Sequence, residues 1–160
     1  MGVKAFTDAL RALLEGGDNE FAADIEALIG TPVTRVLRAN TPWEQIGANL
    51  LPCFVMEQGD GRASGWGTGE DSGLVIGHSS QGFASELDVC LLWQQQDRET
   101  AADQRAQLPE IFARLCLRNP QPGGVNGAWL QEWMPDQGVR HPMQCWAARI
   151  HAEYDITRTP

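Results

Sequence analysis

The groups best suited to chemistry are few: three histidines, four cysteines and scattered acids in a chain of 160 residues. His78 precedes Ser79-Ser80, and Ser79, His141 and Asp136 could form a hydrolase triad, where a histidine takes the serine proton and an acid orients the ring. The sharp Gly-x-Ser-x-Gly turn that presents such a serine is missing, so no catalytic set is expected. The run Gly59-Asp60-Gly61 and Gly65-Trp66-Gly67-Thr68-Gly69 has the backbone N–H density of a phosphate cradle. A cradle needs Lys-Ser/Thr leading into a helix, whereas here Glu70-Asp71 follow and then a strand. Asp60, Glu70 and Asp71 could ligate calcium, but the alternating acids and distant Glu of a calcium loop are missing. Cys53, Cys90, Cys116 and Cys145 form no Cys-x-x-Cys pair, and no Cys or His stands at metal-finger spacing. They read as buried reduced thiols used as small apolar residues. The expectation is a protein without enzymatic activity, cofactor or metal.

Charge narrows the partners. The formal net charge is −9, and the 12 Lys and Arg are scattered. Duplex DNA is bound through clustered cations that release counterions, so nucleic acid is not expected as a ligand, although an acidic wall that it passes is compatible. No window approaches 18 apolar residues, so no membrane span is expected. Gly2-Val3-Lys4-Ala5-Phe6 lacks the Ser or Thr of a myristoylation signal. An amphipathic stretch, not an apolar signal core, opens the sequence, and the chain is expected to be made and kept in a cytoplasm.

The elements that would position any site follow from periodicity. Val3, Phe6, Leu10, Leu13 and Leu14 share one face of a helix over 3–15, stopped by Gly16-Gly17. Asp18 or Asn19 caps a second helix with Phe21, Ile25, Leu28 and Ile29 inward, ended by Gly30. A β-branched run after Pro32 suits a strand, and 50–57 a second, with Pro52 at its start or on an edge. A helical turn is expected over 44–48. Six glycines among small polar residues make 59–73 a long mobile loop, with a strand at 74–78 beyond it. Phe83, Leu87, Val89, Leu91 and Trp93 alternate with Glu86, Asp88 and Cys90 in a strand that Ser85 and Leu92 interrupt. A helix starting at Asp97 runs to about Leu117, with a break or two pieces expected near Leu108 because of Pro109. Trp129, Gln131 and Trp133 alternate with Ala128, Leu130 and Glu132 in another strand. The clearest segment is 144–156, where Trp146, Ala148, Ile150, Ala152, Tyr154 and Ile156 alternate with Cys145, Ala147, Arg149, His151, Glu153 and Asp155. That pattern marks an antiparallel strand with one buried and one wet face, the wet side a solvated or interface ladder. This order gives one α+β domain over 1–160, an antiparallel or mixed sheet with helices on one face.

Six tryptophans against one tyrosine is unusual. Indole is enriched at the centres of protein interfaces, and Trp43, Trp66, Trp129 and Trp133 fall in or beside loops and short strands.

In their order these elements resemble the tail terminator (tail completion, minor tail) proteins of long-tailed bacteriophages. The likeness lies in the helix 3–15 leading to the strand introduced by Thr31-Pro32-Val33, in Leu51-Pro52-Cys53-Phe54-Val55, and in the long hairpin with its loose loop. It continues in the strand 86–94 running directly into the helix 97–117, and in the ending Ala152-Glu153-Tyr154-Asp155-Ile156-Thr157-Arg158. The resemblance implies a hexameric ring that caps the tail tube, stops its polymerisation and presents a surface for head–tail joining. It implies contact with the tube protein and the head-side connector, with duplex DNA only as passing cargo in the lumen. The place implied is the head-proximal end of the virion tail, reached from the host cytoplasm. Under it the candidate interface comprises Asp60, Arg62, Trp66, Glu70 and Asp71 of the loop, Trp129 and Trp133 of the 126–138 region, and Trp43 and Arg140. The alternatives are another neck or head-closure connector, an immunity-type binding protein outside viruses, and a small cytosolic hydrolase using His78 or His141.

Overall fold

Packing of four aromatic rings sets the centre of the fold: Phe21, Phe54, Phe112 and Trp146 are each at most 1% exposed. Phe112 meets Phe21 edge-on at 5.2 Å and Trp146 at 4.8 Å between ring centroids, separations at which aromatic pairs add to the gain from burial. They come from two helices and two strands in a computed structural model that describes residues 2–38, 46–64, 80–135 and 141–157.

The helices begin and stop where local chemistry directs. Helix α1 (Val3–Ala12) buries Phe6 and Leu10, and continues into a wider turn, Leu13–Gly17, that buries Leu14 and ends at Gly16 with φ +106°. A left-handed φ costs glycine nothing. Asp18 accepts a 2.8 Å bond from the Phe21 N–H and so caps helix α2 (Asn19–Ile29), satisfying one of the donors that a helix start leaves free. Helix α3 (Arg98–Arg118) is capped by Asp97, which accepts from the Thr100 N–H at 2.7 Å. The break expected at Pro109 does not occur, and α3 runs through it. A mid-helix proline costs about 3 kcal/mol. Leu108, Phe112 and Leu115 are at most 1% exposed and Ile111 4%, and each such side chain contributes about 1.5–3 kcal/mol, so packing on both sides of the proline outweighs the kink.

Five strands form one sheet in the order β1-β2-β3-β5-β4: β1 (Val36–Arg38), β2 (Cys53–Ser64), β3 (Ser80–Gln94), β4 (Gly127–Pro135) and β5 (Met143–Thr157). Strand β1 runs parallel to β2 and every other pairing is antiparallel, so the sheet is mixed and the class α+β as expected. Strand β2 begins only after Pro52, because Ala48–Leu50 forms a 3-10 turn; residues 44–45 of the turn expected over 44–48 lie outside the described residues. The loop expected from residue 59 starts later. After a register shift between Gln58 and Gly61, Gly61, Arg62, Ala63 and Ser64 pair with Ser85, Ala84, Phe83 and Gly82. Strand β3 is long enough to template them, and its backbone partners offset the weak strand propensity of glycine and serine. Residues 65–73 of the loop and the strand expected at 74–78 lie outside the described residues.

The sheet has two unlike faces. Leu87, Val89, Leu91, Trp93, Trp146, Ala148, Ile150 and Ala152 join the helices in one core. On the other face Cys53, Leu92 and Cys145 pack under Ile46 with Leu50, Leu51, Val55 and Cys90, so the segment before β2 covers one end of that face.

Candidate protein–protein interface

Strand β4 is the outer strand next to β5, and an outer strand presents unpaired N–H and C=O groups along one side. Its tip is apolar and open: Trp133 is 52% exposed and Met134 71%. Pairing runs Trp129–His151 and Leu130–Ile150, then Glu132–Arg149, Trp133–Ala148 and Met134–Ala147, with a shift between Leu130 and Glu132. One extra residue at Gln131 turns the rest of the strand over, as a bulge does. Directly paired residues share a face, so Trp129 stands on the open face and Trp133 on the helix side. The alternation expected from sequence put both tryptophans on one face. That expectation is corrected by a bulge that only the pairing with β5 defines.

On the open face a charged ladder adjoins β4. Arg149 of β5 donates from Nε to Asp88 at 2.8 Å, from Nη2 to the same carboxylate at 3.1 Å, and from Nη1 to Glu132 at 2.6 Å. Glu86 stands 3.5 Å from its Nε. The hydrogen bonds and charge of Asp88, followed by Glu132 and Glu86, hold the guanidinium above its ordinary pKa, while partial desolvation opposes them. This fork ties β3, β5 and β4 together in the planar geometry that suits arginine. Two residues further along β5, the Trp129 ring lies tilted against His151 with centroids 4.6 Å apart. His151 is 5% exposed, with Glu86 3.8 Å from Nδ1 and Glu153 3.7 Å from Nε2. The side of β5 expected to be wet is therefore wet at Glu153, half-covered at Ala147, Arg149 and Asp155, and buried at Cys145 and His151. Pairing with β4 brings Trp129 over the imidazole, and periodicity within β5 carries no trace of that.

Of the residues singled out from sequence, Trp129 and Trp133 lie on β4, on opposite faces. Asp60 and Arg62 belong to β2 on the far side of the sheet; their side chains lie outside the described residues, as do Trp43, Trp66, Glu70, Asp71 and Arg140 entirely. Among the described residues the structure thus places Trp129 and Trp133 on one edge strand, facing opposite ways. It adds Met134 and the partners of Arg149, which residue type alone did not mark; the alternation of Glu86 and Asp88 on β3 was the available signal. Of the candidate triad, Ser79 and Asp136 lie outside the described residues, as does His78, and His141 Nε2 sits 2.9 Å from the Gln96 carbonyl. Among the described residues no group of three or more His, Cys, Asp or Glu side chains is placed to hold a metal ion, and no helix is long and apolar enough to cross a membrane.

No family model matches this chain, and no curated protein matches it. A solved structure does, in fold: a chain of the "virion of native gene transfer agent (GTA) particle", 16% identical, with a TM-score of 0.51, over 95% of this chain and 98% of that one. The two share a fold. The correspondence takes in nearly the whole of both chains, so it rests on the complete order of helices and strands described above.

Proposed function

We propose that this protein is a structural component of a phage-type virion, and specifically a tail terminator: a ring, hexameric by the resemblance, that caps the tail tube, ends its polymerisation and offers the surface for joining the head. The observation that carries the reading is the end-to-end likeness in fold to a virion chain, reached independently of the resemblance read from the order of elements. The geometry supports it. A ring needs a heterologous contact between two different patches, and the two edges of this sheet differ: β1 has three residues, β4 nine with an apolar tip. Strand β4, with Trp129, Trp133 and Met134, supplies one patch. The 59–73 segment, with Asp60, Arg62, Trp66, Glu70 and Asp71, supplies the other, and Trp43 and Arg140 extend the contacts to neighbouring subunits or the tube. A net charge of −9 keeps a lumen acidic, which repels passing duplex. In this reading the protein assembles in the host cytoplasm and resides at the head-proximal end of the tail, with no enzymatic role.

The test is solution mass and negative-stain imaging of the protein with its tube protein. Rings on tube ends are expected; a strict monomer even there overturns the proposal. Deletion of 65–70, which leaves the β2 pairing through Ser64 intact, should preserve the fold and impair tail joining, and normal infectious particles from that deletion would remove the loop from the interface. A second reading, another ring-forming neck or head-closure component, draws on the same likeness, because a virion chain holds no stated position. Gold labelling at the tail end rather than the connector separates the two.

A further inference from the structure

Three of the four thiols gather on the sheet face away from the helices: Cys53 of β2, Cys90 of β3 and Cys145 of β5, around Leu92 and beneath Ile46. Cys90 Sγ and Cys145 Sγ are 3.0 Å apart, closer than the roughly 3.5–4.0 Å at which even carbon atoms rest in contact. The register explains the approach. Cys145 pairs with Leu92 and Cys90 with Ala147, so the thiols are diagonal neighbours whose backbones stand roughly 7–8 Å apart. Their sulfurs meet because the two side chains lean towards each other across the ladder.

We propose that Cys90 and Cys145 are a modification site, a dithiol that closes to a cross-strand disulfide by exchange with a low-molecular-weight disulfide such as oxidised glutathione. The inference stands apart from the proposed function. Cys90 is half-buried and Cys145 7% exposed, so Cys90 is the thiol that meets the reagent. Its thiolate attacks one sulfur of oxidised glutathione, forms a mixed disulfide and releases one glutathione thiolate, which takes up the proton that Cys90 gave to solvent. The Cys145 thiol then loses its proton and attacks Cys90 Sγ, expelling the second glutathione. Two protein thiols are oxidised and one glutathione disulfide is reduced to two thiols. Closure needs the sulfurs to move about 1 Å closer, to the roughly 2.05 Å of a disulfide, and the β3 and β5 backbones to draw in locally, since bridged Cα atoms stand about 4.4–6.8 Å apart. The other thiols are poorly placed to compete. Burial pushes the Cys53 thiol up to about 11, with a smaller contribution from Cys90. Cys116 lies on α3, in the core on the other side of the sheet, and burial pushes it to about 11 as well. The thiolate is the nucleophile, so both react slowly.

The experiment treats the full folded chain with oxidised glutathione, quenches in acid, alkylates the remaining thiols, digests without reductant and maps the products by mass spectrometry. The expected product is one linked peptide pair, Cys90 to Cys145, lighter by two hydrogens, with Cys53 and Cys116 alkylated and the link reversed by a dithiol reductant. With Cys145→Ser, a glutathione adduct should accumulate at Cys90 in place of the link, and Cys53→Ser should leave the link unchanged. A persistent glutathione adduct at Cys90 of the unsubstituted chain, a link that uses Cys53 or Cys116, or four unmodified thiols would each overturn the proposal. Should Cys145→Ser fail to fold, the map of the unsubstituted chain decides alone.

Discussion

The two faces of this sheet are built from the same strands yet finished in opposite ways. Towards the helices, β3 and β5 present Leu87, Val89, Leu91, Trp93, Trp146, Ala148 and Ile150, all at most 2% exposed. Away from them, the intervening residues carry a thiol cluster at one end and the Arg149 ladder at the other. Alternation makes both faces unavoidable, since successive side chains point opposite ways. The helix side therefore carries most of the hydrophobic stabilisation, and the contacts proposed above fall on the open side and the β4 edge. If that division is right, substitutions should separate stability from assembly.

The largest effect on stability is expected on the helix side. Phe112→Ala removes a ring that touches Phe21, Phe54 and Trp146 and should cost about 3–5 kcal/mol in urea unfolding; a loss below about 1 kcal/mol would break the contrast between faces. Gly123→Ala comes next, because Gly123 has φ +66° and an added methyl would run into the Ala5 carbonyl of α1. Overpacking against backbone should cost about 1–3 kcal/mol, and an unchanged midpoint would show that the turn gives way.

Asp18 sharpens the comparison through pH. Burial alone would raise its pKa, but the Phe21 N–H, Arg118 and Asn119 outweigh that and hold it below 3.8. A carboxylate depressed in the folded state contributes stability above its unfolded pKa and loses it as pH falls through the folded value. Stability should therefore drop below about pH 3.8 in the native chain. Asp18→Ala, which removes both the cap and the charge, should lower stability at neutral pH by about 0.5–2 kcal/mol and flatten the acid limb. An acid limb that keeps its slope would assign it to other carboxylates.

On the open side the effects should be small for folding. Arg149→Met leaves Asp88, Glu86 and Glu132 facing one another without their cation. Exposed ion pairs contribute up to about 1 kcal/mol, so a loss of that size is expected, shrinking as salt screens the repulsion; a loss that ignores salt would refute the electrostatic account. Smallest of all, Trp133→Ala with Met134→Ser should change unfolding by less than about 0.5 kcal/mol while abolishing ring formation on tube ends. Intact rings from that double variant would remove β4 from the proposed interface.

How far the sequence could be read depended on the range of the interaction. Helix starts at Asp18 and Asp97 and stops at Gly16 and Gly30 were legible, because a cap is satisfied within three or four residues. So were β3 and β5, whose alternation runs long enough to define both faces. The continuous α3 was not, since the burial that carries it across Pro109 comes from strands far away in sequence. The extension of β2 to Ser64 was hidden for the same reason: its glycines signal a loop until β3 pairs with them.

The candidate interface divides in the same way. Residue type alone picked out Trp129 and Trp133 as tryptophans in or beside short strands, and an acidic balance on which a nucleic-acid ligand is not expected. Tertiary structure decided that β4 lies at an edge, that the bulge at Gln131 sends its two tryptophans to opposite faces, and that Arg149 holds carboxylates from two neighbouring strands. It also decided that Cys90 and Cys145, 55 positions apart, meet at their sulfurs. Local propensity and periodicity are properties of one segment, and the sequence determined those by itself. Register, edge position and diagonal contact are relations between segments, and they exist only once the chain has packed.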